Sequence, residues 1–160
     1  MSKLLLLILA TTCIAPLRLD ARTNAVPDGS KFFARFVGRS PCREIANAIG
    51  ASVPDQCFKI KWDITLFQDE VTSAPTTYRI DATLYRQSPR VGKWKIVSAT
   101  THHPNAIIYE LEAASGHGSI RLLKADGNIM FFVGPDGRLM VGNADFSYTL
   151  NRAEDRKSVV

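Results

Sequence analysis

Few side chains in this chain carry the right chemistry for a site. There are three histidines, His102, His103 and His117, and three cysteines, Cys13, Cys42 and Cys57. The adjacent imidazoles of His102 and His103, just before Pro104, are candidates for a Cu(II) or Zn(II) site, because neutral imidazole suits both ions. Solvated loop histidines are the plainer reading. His117 lies in Ser115-Gly116-His117-Gly118, and antiparallel pairing of 106–112 with 119–124 would put it at the opposite end of that pair from His102 and His103. A shared three-histidine site is therefore not expected.

The cysteines divide by position. Cys13 ends Ala10-Thr11-Thr12-Cys13, a loose lipobox in which it would become the acylated first residue of a lipoprotein held to a membrane by its lipid chains. Cys42 and Cys57 remain. Two cysteines in an oxidising compartment form a disulfide, and closing a loop of about 15 residues contributes roughly 3 kcal/mol by constraining the unfolded chain. A soft-metal thiolate site would call for closer cysteine spacing. No nucleophile elbow, phosphate-cradling glycine loop or metalloprotease helix occurs. Asp63, Asp81, Glu110 and Glu112 sit at alternating positions on the wet faces of strands, where solvation is their ordinary role, so the chain reads as non-enzymatic.

These residues need elements to position them, and the leader comes first. Met1, Ser2 and Lys3 run into Leu4-Leu5-Leu6-Leu7-Ile8-Leu9-Ala10, a basic start and short apolar core of the kind found in secretory signal peptides. The run is too short to span a bilayer, which needs on the order of 20 apolar residues. Cleavage after Thr23-Asn24-Ala25 removes residues 1–25, with Leu19-Asp20-Ala21 as a second small-residue match. A single domain over 26–152 follows, then a charged, frayed tail over 153–160. The net charge of +5 is mild and its basic residues are scattered singly. A nucleic-acid footprint would need a basic stripe with interleaved aromatics.

The body alternates with period two. Phe58, Ile60, Trp62, Ile64 and Leu66 are interleaved with Lys59, Lys61, Asp63 and Thr65, and Tyr78, Ile80, Ala82 and Leu84 repeat the pattern, as half-buried strands do. A first strand over 31–37 is expected to end at Gly38. Ser40 as N-cap and Pro41 at the first helical position open a short helix bearing Ile45, Ala46 and Ile49, which Gly50 and Pro54 close. Further strands are expected over 93–98, 106–112, 119–124, 128–133, 139–141 and 146–150, with turn chemistry such as Asp126-Gly127 and Pro135-Asp136-Gly137 between them. Eight or nine short strands and one short helix near the N-terminus make an all-β antiparallel meander. Curling it into a small barrel removes the exposed edges; a two-layer sandwich shares the same local pattern. Phe58, Trp62, Tyr78, Trp94, Tyr109, Phe131 and Tyr148 are expected chiefly in the core. Alternatively, Trp62, Tyr78, Trp94, Tyr109 and Phe131 would line a pocket for one small apolar ligand.

From Phe36-Val37-Gly38-Arg39-Ser40-Pro41-Cys42, through Gly92-Lys93-Trp94, to Phe146-Ser147-Tyr148-Thr149-Leu150-Asn151-Arg152, the layout resembles the N-terminal domain of the NlpE copper-resistance and envelope-stress lipoproteins. Members of that family begin with a strand and a G-x-x-P-C element, continue through β-hairpins with a G-x-W strand, and end on a tyrosine-bearing strand. The resemblance implies a lipocalin-like barrel in the bacterial envelope, in the periplasm or at the cell surface. It implies a role in copper tolerance or surface-stress signalling, with copper as the associated metal. Cys42 matches the first cysteine of the family's C-x-x-C pair, but Ile45 holds the second position, so Cys42 and Cys57 are better read as a disulfide brace. The leading expectation is an exported, non-enzymatic barrel that binds or senses at the cell surface, with an envelope protein or small ligand as partner. The alternatives are a carrier of a small apolar ligand inside the barrel and a protein-binding inhibitor module using loops such as 68–75.

Overall fold

The computed structural model describes residues 26–85 and 88–155; the expected leader, Cys13 and residues 156–160 lie outside them. Eight strands follow one another: β1 (Ser30–Pro41), β2 (Lys59–Asp69), β3 (Pro75–Ala82), β4 (Arg90–Thr100), β5 (His103–Leu111), β6 (Ile120–Lys124), β7 (Ile129–Val133) and β8 (Thr149–Ala153). Each pairs antiparallel with the next, and β8 returns to β1 to close the ring. Closure decides for the barrel and against the sandwich. Helix α1 (Arg43–Ala48) and a 3-10 turn at Thr83–Tyr85 lie at the same end of the barrel.

The closing seam depends on Gly38. It lies inside β1 opposite Leu150, and a Cβ there would fall 2.6 Å from the carbonyl oxygen of Thr149. The strand therefore runs through the glycine expected to end it, because only a residue without a side chain lets β8 come that close. The ring is uneven at β4. This strand pairs with β3 only from Arg90 to Lys93, but with β5 from Trp94 to Thr100, so the β4–β5 hairpin projects past β3. Ile96, two residues along β4 from the buried Trp94, is 53 % exposed on that projection.

Alternation fills the interior as the pattern on β2 and β3 predicts: Ile60, Trp62, Ile64, Leu66, Tyr78 and Ile80 are all buried. Aromatic rings meet in tilted contacts inside the barrel, with Trp62 and Phe132 at 5.1 Å between centroids and Trp94 and Tyr109 at 5.0 Å. On the outer face, the expected solvated acids form ion pairs. Arg35 grips Asp63 with Nε and Nη2 at 2.7 and 2.8 Å, Arg79 pairs with Asp81, and Glu110 meets both Lys95 and Arg121. Asp63 lies directly opposite Asp81 in the ladder, so each like charge needs its own arginine.

Several expected boundaries move. Phe58 precedes β2 and is 60 % exposed instead of belonging to the core. Phe131 faces outward, half-buried, and Phe132 takes the inner position. The segment 129–133 is apolar at every position, so its phase is set by pairing with β8, where Met130 meets Leu150. The expected strand at 139–141 reduces to one isolated bridge between Val133 and Leu139. Tyr148 is buried ahead of β8, whereas Ala153, assigned to the tail, pairs with Arg35. Ser40 and Pro41 remain in β1 and do not cap the helix. The Ser40 hydroxyl instead accepts the Trp62 indole N–H at 2.8 Å and donates to the Pro41 carbonyl at 3.0 Å, so a buried tertiary bond outcompetes the local cap.

The Cys42–Cys57 disulfide is formed, with Cα atoms 5.8 Å apart and a sequence separation of 15. It ties the start of α1 to the approach of β2. Replacing both cysteines by serine should lower unfolding stability by about 3 kcal/mol. Urea midpoints of the wild-type protein with and without reductant check this: reduction should shift the wild type to the variant's midpoint and leave the variant unmoved.

Candidate functional site

The helix-bearing end of the barrel gathers α1, the disulfide, the 3-10 turn and the β5–β6 connection. At its centre is Arg90, only 1 % exposed. Arg90, Gly92 and Trp94 alternate on the inner face of β4, so the arginine points inward at the barrel end. A buried guanidinium is costly unless each donor finds an acceptor. Arg90 Nε donates to Tyr78 Oη at 2.8 Å and Nη1 to Tyr85 Oη at 3.3 Å. Nη2 donates to the carbonyls of Glu112 and Gly118 at 3.0 and 2.7 Å. Tyr78 in turn donates to the Glu112 carbonyl at 2.8 Å. Its ring lies across Gly92 on the paired strand, where a Cβ would fall 2.8 Å from the ring, so glycine is required. Arg90 thereby joins β3, β4, the 3-10 turn and the β5–β6 connection into one plug. The ring of His117 lies 5.5 Å from that of Tyr85 beside it.

A groove of about 740 Å3 opens on the outside of this end, between the β1–β2 connection and the 3-10 turn. Val53, Pro54, Phe58 and Leu84 supply its apolar walls, and Lys59 and Lys61 stand on the β2 side. Phe58 packs edge-on against Phe146 at 5.2 Å, and Lys59 Nζ lies 5.5 Å over that ring. The Lys61 amide donates to Thr83 Oγ1 at 3.2 Å, tying the two walls together.

The residues expected to carry a site are spread through the molecule. Trp62, Tyr78, Trp94 and Tyr109 are buried inside, where Trp94 donates its indole N–H to the Phe67 carbonyl at 2.6 Å and Trp62 is held by Ser40. They act as packed core at these positions; Phe131 is not among them. His102 and His103 sit at the β4–β5 turn, on the rim opposite Arg90 and His117, as the strand pairing predicts. Among the described residues, no three His, Cys, Asp or Glu side chains gather in a way that could hold a metal ion. Cys42 and Cys57 are joined to each other, so neither offers a thiolate. Sequence reasoning missed Arg90, which opens β4 three residues before the strand expected from 93. Its spacing of two and four from Gly92 and Trp94 was the available signal for an inward side chain.

Replacing Arg90 by methionine removes the guanidinium donor from the Gly118 carbonyl and two tyrosine hydroxyls, leaves the Glu112 carbonyl with Tyr78 alone, and should cost roughly 3 kcal/mol in urea unfolding. Lysine at this position should recover little, since a single ammonium cannot reproduce the planar fork. Full recovery by lysine would refute the plug. Burial also raises the phenol pKa values of Tyr78, Tyr109 and Tyr148 above the ordinary 10.0, with the Glu44 carboxylate adding to the effect at Tyr148 and Arg90 opposing it at Tyr78. These phenols hold their protons more tightly folded than unfolded. Their contribution to stability is therefore complete below pH 10.0 and is lost as pH rises through the folded values. Tyrosinate absorbance during alkaline titration should rise for these residues together with the loss of tertiary structure.

No protein-family model, no curated protein and no solved structure matches the chain.

Proposed function

We propose that this chain is a non-enzymatic, exported barrel of the cell envelope, similar to the N-terminal domain of the NlpE lipoproteins, and that it serves copper tolerance or envelope-stress sensing by binding at its surface. The observation that carries this reading is the mutual contact of the inward-facing aromatic rings. Trp62, Tyr78, Trp94 and Tyr109 pack against their neighbours, and Arg90 plugs the helix-bearing end. Inner positions used in this way favour a surface binder over a carrier with a ligand inside. The Cys42–Cys57 disulfide supports export, because such bonds persist in oxidising compartments. With both thiols engaged, a role in copper tolerance runs through sensing and an envelope protein partner, not through a thiolate pair.

A deletion strain of the source organism tests the proposal. Growth in copper and the envelope-stress response should both be impaired, and the full chain should restore them. A version lacking residues 1–25 should not. Native mass spectrometry of the protein recovered from the envelope should give a chain starting at Val26, or at an acylated Cys13, two hydrogens short of the reduced mass. Rescue by the leaderless version, or a reduced protein recovered from the cytoplasm, would overturn the reading.

A further inference from the structure

The outer groove at the helix-bearing end has two chemically different parts. Its walls are apolar and firmly based: Val53, Cys57 and Leu84 pack against the barrel core, and the disulfide fixes the β1–β2 connection. A backbone bond from Cys57 N–H to the Pro54 carbonyl at 2.9 Å holds the turn that forms one wall. The trough is therefore built before any ligand arrives, and its volume of about 740 Å3 suits a small organic molecule.

The other part is cationic. Lys59 and Lys61 lie two residues apart on the outward face of β2, so their Cα atoms are roughly 7 Å apart along one edge of the trough. Both are exposed, and among the described residues neither has a carboxylate partner. On the β1–β2 connection, Asp55 faces Arg43 at 3.7 Å. An apolar trough edged by two ammonium groups that have no carboxylate partner among the described residues, that of Lys59 resting over the Phe146 ring, complements a molecule with an apolar body and an anionic head. A neutral hydrocarbon would leave the lysines unused, and a bare anion would leave the trough empty.

We propose that this groove binds a free, monomeric amphiphilic anion, with its apolar body against Val53, Pro54, Phe58 and Leu84 and its carboxylate or phosphate head on Lys59 and Lys61. The site deepens the reading of the barrel as a surface binder and rests on it. Its test is made on the purified protein, so it fails separately from the copper and stress phenotypes.

Isothermal titration below the micelle threshold, with octyl phosphate and octanoate as probes, should give saturable one-to-one binding. Octanol, inorganic phosphate and octyltrimethylammonium should bind at least about tenfold more weakly. The amide resonances of Lys59, Lys61 and Leu84 should shift with the anionic probes. The variant K59Q/K61Q changes two exposed side chains and should keep the wild-type melting temperature while losing about tenfold in affinity for both anions. The charge reversal K59E/K61E should invert the preference towards octyltrimethylammonium. The proposal is overturned if the anions show no saturable binding, if octanol binds as tightly as octanoate, if the glutamine variant binds unchanged, or if only anionic lipid vesicles bind.

Discussion

The constraint on which this structure most depends is that a guanidinium taken out of water must find an acceptor for each donating nitrogen. Arg90 meets it with acceptors that no single element could supply: two tyrosine hydroxyls from β3 and the 3-10 turn, and two carbonyls from the β5–β6 connection. The bonds run in both directions. Arg90 fixes those segments, and those segments make its burial tolerable. Tyr78 belongs to the same unit, since its hydroxyl both accepts from Arg90 and donates to the Glu112 carbonyl, and its ring reaches that position only because Gly92 leaves the room.

From that plug the rest of the helix-bearing end follows. The connection from β1 to β2 is long for an antiparallel pair, and it covers the barrel end with α1, whose Ile45 and Ala46 are buried. Such a segment has little regular pairing of its own and is pinned by the disulfide and by a hydrogen bond from Arg43 to the Asp55 carbonyl. The far rim is made differently, from tight turns closed by acceptor side chains. Asp69 takes the amides of Val71 and Thr72, and Asp126 those of Asn128 and Ile129. One end of the barrel is thus a built surface with a groove, and the other is a set of short turns.

That asymmetry bears on function. The interior positions that would have to line a ligand chamber are occupied by rings in contact with one another, and their indole nitrogens are committed to Ser40 and Phe67. The surface that remains structured and chemically distinctive is the trough beside Lys59 and Lys61. A binding role at the barrel's exterior uses what the fold holds rigid. It also leaves the filled core free to maintain the structure whether or not a ligand is present.

The sequence by itself determined the class of fold, the disulfide and the inner faces of β2 and β3. Strict alternation around Trp62 and Tyr78 admits one phase only, because a slip of one residue would exchange every wet and dry side chain. Where alternation lapsed, local reading failed. The run 129–133 is apolar throughout, and only the meeting of Met130 with Leu150 in the β7–β8 pair turned Phe132 inward and Phe131 outward. Ser40 had the chemistry of a helix cap, but the indole of Trp62, distant in sequence, claimed its hydroxyl. Ile96 kept its inward phase yet lay exposed, since β4 runs beyond the strand that would have covered it. The plug and the groove belong to tertiary structure alone. Arg90, Tyr78, Tyr85 and the carbonyls of Glu112 and Gly118 come together only when β3, β4 and β5 pair side by side, and the trough exists only because the disulfide-pinned connection folds back beside β2. Periodicity reports which face of a strand is dry; partners remote in the chain decide what that face touches.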